Sequence, residues 1–260
     1  LNGKIDSLDF AQVPNVRLYV VGPNGDGLSQ NDEVGNYWTS ADKFPLTEDN
    51  GIRWQDVYFH KNGDLNTVAP QNDEGYNAYV HDPDDPILTH GGANMIVETP
   101  DGNRDSQGQM DFTDPLYINQ VLNRPGILHY ETDVIQDSMC IIGFPKMTLY
   151  AKTNPGGATD GPTDTDFFIR ILDVYPDGRE FFVVEGCVNA RARDYARHLL
   201  EKDPYAEEDV TVPFTNIEIG QLYEYKFMLM PIAYTWGDGH KMKILVSSSN
   251  YNRYQVNPNL

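Results

Sequence analysis

The sequence predicts an all-β domain, a β-sandwich carrying one short helix. Runs with the two-residue period of strands recur about ten times at short spacing, the cadence of a sandwich. The composition agrees: 22 Gly and 17 Pro supply many turns, 16 Tyr suit half-buried strands, and a 40 % apolar fraction argues against disorder. A chain of 260 residues buries roughly three quarters of its unfolded surface, so one large domain is expected without covalent staples.

In chain order, Val16 to Val21 is a β-branched strand ended by the loop Gly22-Pro23-Asn24-Gly25-Asp26-Gly27. That loop lacks both the Gly-Lys-Ser/Thr ending and the full G-x-G-x-x-G spacing, so it is not read as a phosphate loop. Trp54 to His60 alternates as a strand, and Asn62-Gly63 is a hairpin turn signal. Tyr76 to Val80 reads as another short strand, broken by Asp82-Pro83-Asp84-Asp85-Pro86. Residues 97 to 123 are polar without a period and are expected as an exposed excursion, with order resuming at Arg124.

Ile127 to Thr132, Ile141 to Pro145 and Met147 to Ala151 continue the strand pattern, the last with Met147, Leu149 and Ala151 on one face. Asn154 to Thr163 is a loop rich in Gly, Pro and Thr. The densest stretch follows. Phe167, Ile169 and Ile171 point one way, and Phe168, Arg170, Leu172 and Val174 the other. Pro176-Asp177-Gly178 ends the strand, and Phe181 to Val184 returns antiparallel. Tyr195 to Lys202 is the one helical stretch, closed by Pro204. From Leu222 to Met230 the set Tyr223, Tyr225, Phe227 and Leu229 forms an apolar face, and Met242, Ile244 and Val246 do the same in the final strand.

A formal net charge of -20 repels phosphate backbones and anionic surfaces, so neither nucleic acid nor a membrane is an expected partner. There is no apolar run near the length of about 18 residues that a spanning helix needs. Cys140 and Cys187 both lie in apolar runs and are expected as buried thiols in preference to a disulfide. The chain opens on Leu1 and not on Met, so a piece of a longer polypeptide is expected.

Catalytic signatures are sparse. The G-x-S-x-G elbow of α/β hydrolases is absent from the sequence. His240 with Ser247, Ser248 or Ser249 and Asp238 has the composition of a triad, but the serines end a strand and a structural role is favoured. Asp160, Asp164 and Asp166 form a carboxylate set that fails the EF-hand spacing, so a solvated loop is expected over a calcium site. Histidines 60, 81, 90, 129, 198 and 240 include no H-E-x-x-H motif, which disfavours zinc. No cofactor and no metal are expected. In Thr89-His90-Gly91-Gly92-Ala93-Asn94-Met95-Ile96, paired glycines permit a close turn, and an exposed Met95-Ile96 pair would be costly to hydrate.

Several separate wordings, in one order, carry a resemblance. They are Asp164-Thr165-Asp166-Phe167, then Leu172-Asp173-Val174-Tyr175-Pro176-Asp177-Gly178-Arg179, then Glu185-Gly186-Cys187-Val188-Asn189-Ala190-Arg191-Ala192-Arg193. Gly239-His240-Lys241, Val246-Ser247-Ser248-Ser249-Asn250-Tyr251, Arg253 and Asn257-Pro258-Asn259 follow. Together they resemble the C-terminal domain of the X-Pro dipeptidyl-peptidase and cocaine-esterase-like serine hydrolases, the CocE/NonD group. The resemblance covers nearly the whole chain and is strongest from Arg124 onward.

It implies a jelly roll of the galactose-binding-like kind over 37–260, with 1–36 a linker and strand leaving a catalytic domain. It also implies that the nucleophile, acid and base all lie upstream, so that no residue of this chain is catalytic. Gly126 stands where the family usually has Asp. Gly91, Gly92, Asn94, Met95 and Ile96 become candidates for a substrate-pocket wall, although Met95 and Ile96 could equally cap the sandwich core. The implied partners are an α/β-hydrolase domain of the same parent chain and, through it, an ester, amide or peptide substrate. A free-standing carbohydrate-binding module is the competing reading, because such sandwiches often bind sugars on aromatic platforms.

Overall fold

The computed structural model describes residues 13–23, 34–71, 75–89, 121–154, 163–202, 211–251 and 253–259, with the backbone of two short strands at 96–98 and 104–106. Its strands are β1 (Val16–Val20), β2 (Tyr37–Ala41), β3 (Tyr58–Phe59), β4 (Leu65–Asn66), β5 (Ile96–Glu98), β6 (Arg104–Ser106), β7 (Ile127–Glu131), β8 (Met139–Gly143), β9 (Lys146–Ala151), β10 (Asp166–Val174), β11 (Glu180–Asn189), β12 (Tyr223–Met228), β13 (Ile232–Trp236) and β14 (Lys241–Ser247). One helix, α1 (Arg193–Glu201), follows β11. The protein is an all-β sandwich with one short helix.

A four-stranded antiparallel sheet in the order β11-β10-β14-β7 forms one layer. Its inner face carries Phe167, Ile169 and Ile171 of β10, Val184 and Val188 of β11, and Met242, Ile244 and Val246 of β14. These pack on Met147 of β9, Tyr225 and Phe227 of β12, and Tyr234 and Trp236 of β13. The opposite layer comprises the β12-β9 and β13-β8 pairs, and β1 joins β13 through Val21, whose N–H donates to Ala233 O at 2.9 Å. The outer face of the four-stranded sheet is also covered. Leu172 and Leu245 meet Ile87, Val121 and Ile127 there, so β10 and β14 are buried on both sides.

The β10-β11 hairpin closes as the sequence requires. Gly178 N–H donates to Tyr175 O at 2.9 Å, Tyr175 N–H to Arg179 O at 2.8 Å, and Gly178 sits at φ 88°. This is a three-residue loop with a left-handed glycine. Further along, Ile171 faces Val184 and Leu172 faces Phe182, so Val183 is a bulge residue.

Some expectations are corrected. The strand read over Trp54 to His60 shrinks to Tyr58–Phe59, which pairs with β4 across the Gly63 turn. Trp54 itself is 65 % exposed with the Lys146 ammonium over its ring. Tyr76 to Val80 forms no described ladder; Asn77 and Tyr79 are tied to the core by side-chain bonds to Tyr130 and Ser248. Strands β2 and β13 were not anticipated. In β13 the residues Tyr234, Thr235 and Trp236 are buried consecutively, so no alternation marks them. Val121, inside the stretch expected to be exposed, is core.

Cys140 and Cys187 are free and exposed, not buried. Both apolar runs lie on strands at sheet edges, where Ile141 and Val188 take the inner face and leave the cysteines outside. The helix expected over Tyr195 to Lys202 is α1, and Pro204 lies outside the described residues.

A Cβ at Gly178 would touch nothing within 4 Å, so Gly178→Val is expected to cost only the backbone penalty, about 1–2 kcal/mol. Thermal melting should show a midpoint lowered by a few degrees. An unchanged midpoint would show that the turn carries no such strain.

Candidate functional site

The polar residues singled out in the sequence are gathered by the fold into buried networks. Alternation along β10 carries Asp173 onto the inner face after Phe167, Ile169 and Ile171, which puts a carboxylate in the sandwich interior. It meets two partners there. Tyr234 OH donates to Asp173 Oδ2 at 2.9 Å, and His240 Nδ1 lies 2.7 Å from Asp173 Oδ1. Asp173 and His240 are both 0 % exposed. Burial pushes the Asp173 carboxyl above its ordinary range, while the His240 and Tyr234 hydrogen bonds work against that shift. The Tyr175 ring packs against the imidazole at a tilt, with ring centroids 4.3 Å apart. Gly237 lies close beside it, since a Cβ there would sit a tight 3.1 Å from both His240 Nε2 and Pro23 Cγ.

Arg170, on the outer face of β10, is the second such residue. Its Nη2 donates to Asn250 Oδ1 at 2.8 Å, and Asn250 Nδ2 donates to Glu185 Oε2 at 2.8 Å. Glu185 stands directly across from Arg170 in the ladder and also pairs with Arg253 at 2.9 Å. The serines beside Asn250 are engaged as well. Ser247 Oγ donates to Ser249 O, Ser248 Oγ lies 2.7 Å from the Tyr79 hydroxyl, and Ser249 Oγ accepts from Ile87 N–H.

Where β10 begins, Asp164 Oδ2 and Asp166 Oδ1 each accept from Asn189 Nδ2 at 2.8 Å and from Asn257 Nδ2 at 3.1 and 3.3 Å. A fourth group joins β14 to β7 and β11. Lys243 Nζ lies 2.5 Å from Glu180 Oε1 and 2.9 Å from Glu131 Oε1.

This geometry decides the candidate chemistries. His240 precedes β14 and Ser247 ends it, so about seven extended residues, roughly 20 Å, separate base from nucleophile. Asp238 instead accepts from Asp137 N–H. A histidine held by an aspartate is half of a triad, yet here it is sealed from solvent and the serines are spent elsewhere. Asp160 lies outside the described residues, and the remaining two carboxylates of that set bind amide donors.

Among the described residues no group of three or more His, Cys, Asp or Glu is placed to hold a metal ion. Gly91, Gly92, Asn94 and Met95 lie outside the described residues, and Ile96 is described only as the backbone start of β5. Sequence reasoning missed the networks as wholes. Their signal was a charged residue inside an apolar strand: Arg170, Asp173, Glu185 and Lys243.

A family model described as the X-Pro dipeptidyl-peptidase C-terminal non-catalytic domain matches residues 9–260. The chain belongs to this family. The cocaine esterase of Rhodococcus sp. strain MB1 Bresler is 27 % identical over 267 residues, which cover 100 % of this chain and 38 % of the esterase. An aminopeptidase structure from the marine sediment archaeon Thaumarchaeota archaeon matches with a TM-score of 0.67 at 20 % identity, over 95 % of this chain and 35 % of its own. An α-amino acid ester hydrolase structure matches with 0.59 at 20 %, over 86 % and 34 %. These two likenesses show the fold alone. The chain spans little more than a third of the length of each of these relatives.

In this non-catalytic domain the Lys243 group is open to a direct test. Burial works against the ammonium, but Glu180 and Glu131 outweigh it and hold Lys243 above its usual 10.5; burial also works against Glu131, whose carboxyl Lys243 and Lys241 nevertheless hold below 4.5. The Lys243 contribution is therefore complete below pH 10.5 and lost as pH rises through the higher folded value. That of Glu131 is complete above pH 4.5 and lost as pH falls through the lower one.

Lys243→Met should destabilise the domain by about 3–5 kcal/mol at neutral pH, because Glu180 loses its buried cation. Denaturant titrations of both proteins across pH should show the gap narrowing at each extreme. A gap that does not vary with pH would assign the loss to packing.

Proposed function

We propose that the domain serves a serine hydrolase that cleaves esters or amides, X-Pro dipeptide bonds among them. It packs on an α/β-hydrolase domain of the same polypeptide and helps shape the substrate pocket. The parent reaction is acyl transfer through a seryl intermediate, with every reacting group outside this chain. The residues Gly91, Gly92, Asn94, Met95 and Ile96 are proposed as the pocket wall.

One observation carries the reading. Every serine, histidine and aspartate with triad composition is committed to structural hydrogen bonds, whereas large rings on β1 and β2 face outward. Tyr19 and Trp38 are opposed in the ladder, with ring centroids 5.3 Å apart, and Arg17 lies 4.8 Å over the Trp38 ring. Trp38 is 61 % exposed. Tyr, Trp and Arg are the residue types that dominate binding energy in protein interfaces.

Exposed Trp54 and Tyr76, with Lys146 and Lys152 over their rings, favour a carbohydrate-binding surface as the second reading. Retardation of the domain in polysaccharide gels would support that reading.

The isolated chain is expected to leave a fluorophosphonate probe unreacted. Stoichiometric labelling of Ser247, Ser248 or Ser249 would overturn the non-catalytic assignment. Trp38→Ala should leave the isolated domain's stability within about 0.5 kcal/mol. With the hydrolase domain supplied as a separate polypeptide, the same change should weaken association by about 2 kcal/mol or more. Unchanged association would remove β1 and β2 from the interface.

A further inference from the structure

We infer that the hydrolase domain docked on β1 and β2 presents a carboxylate to Arg17, set within an otherwise apolar contact. The inference rests on the reading of β1 and β2 as the docking face and names the chemistry of the partner surface.

The two strands pair antiparallel, with Tyr19 opposite Trp38 and Arg17 opposite Ser40. Alternation turns Leu18 and Val20 the other way, and Val20 is fully buried. Exposed Arg17, Tyr19 and Trp38 are left outward, with the guanidinium over the indole. Stacking restrains the flat face of a guanidinium but uses none of its N–H donors, which lie along the edge.

Among the described residues those donors meet no acceptor. This sets Arg17 apart from Arg124, Arg179, Arg197 and Arg253, each of which holds a carboxylate of this chain. Acidic residues number 39 against 19 basic ones, so carboxylates are not scarce. Ser40 brings no charge, and Asp42, just past the end of β2, makes no ion pair with Arg17.

The family model is of a C-terminal domain, and the chain spans little more than a third of the relatives' length. The larger part of such a polypeptide is therefore available to cover this face. Covering it strips water from the guanidinium, which is strongly unfavourable unless an acceptor arrives with the partner. A carboxylate fits the guanidinium fork with two parallel hydrogen bonds. It also fixes the docking register, because a partner carboxylate placed against the acidic remainder of this chain is repelled.

The test uses the full-length hydrolase carrying Arg17→Lys, which keeps the charge and supplies an amine that carbodiimide can join to a carboxylate. Peptide mapping should find the side chain at 17 linked to an Asp or Glu outside residues 1–260. The unsubstituted protein, with no amine at 17, is the blank. A link only to a carboxylate of this chain, Asp42 included, or no link at all, overturns the inference.

Coverage of the face is read separately, by hydroxyl-radical oxidation of the unsubstituted full-length protein. Trp38 should be oxidised less than fivefold faster than Trp236, which is 0 % exposed. If Trp38 is protected in this way and no link outside the chain forms, β1 and β2 remain the docking face and the carboxylate falls. If Trp38 reacts faster than that, the face is uncovered and both fall.

Discussion

The constraint on which the fold depends is that β10 is buried on both faces yet carries two buried ionisable side chains. Arg170 and Asp173 sit among residues that exclude water, and an unpaired charge there would cost several kcal/mol. Each therefore needs partners, and the partners come from far along the chain. Tyr234 and His240 reach Asp173 from 61 and 67 positions away, and Asn250 reaches Arg170 from 80. A slip of one residue in β14 would turn Met242, Ile244 and Val246 outward and bring Lys243 into the apolar cluster. Polar pairing and apolar packing thus enforce the same register.

The same networks explain why His240, Ser247, Ser248, Ser249 and Asp238 form no triad among the described residues. A general base needs access to a substrate and a nucleophile within hydrogen-bond reach. His240 is buried beside Asp173 and Tyr175, and the serines proposed to partner it lie at the far end of β14. The residue types suit catalysis, but the geometry suits scaffolding. Rings free to meet a partner are instead on the surface, at Trp38 and Tyr19.

Legibility from sequence followed the physics of period. β10, β12 and β14 alternate cleanly because one set of side chains enters the core, and their inward residues were readable before any coordinates. β13 was hidden by three consecutive buried residues, and β2 by a mixed surface of Tyr37, Trp38 and Ser40. The cysteines were misread because an apolar run at a sheet edge keeps one face in solvent. Of the networks only the charged members inside apolar strands leave a sequence signal; which residues partner them does not, since hydrogen bonds between Asp173 and His240 or between Arg170 and Asn250 have no periodic trace. Their members nonetheless coincide with the wordings that carry the family resemblance, from Asp164 and Asp166 with Asn189 and Asn257 to His240 and the serine run.

The networks also pin the two ends of β14. At one end of β14, His240 is bonded to Asp173 and lies beside Gly237, and β1 is hydrogen-bonded to β13 through Val21. At the other end, Asn250 and Ser249 hold Ile87 and Thr89. A single strand, buried on both faces and paired on both sides, joins these two ends over roughly 20 Å. Interiors packed this densely move as units and pass strain along instead of absorbing it. Polar side chains therefore anchor β14 at both ends, to Asp173 through His240 and to Ile87 and Thr89 through Ser249 and Asn250, and the same strand is held in register along its length by its two neighbours.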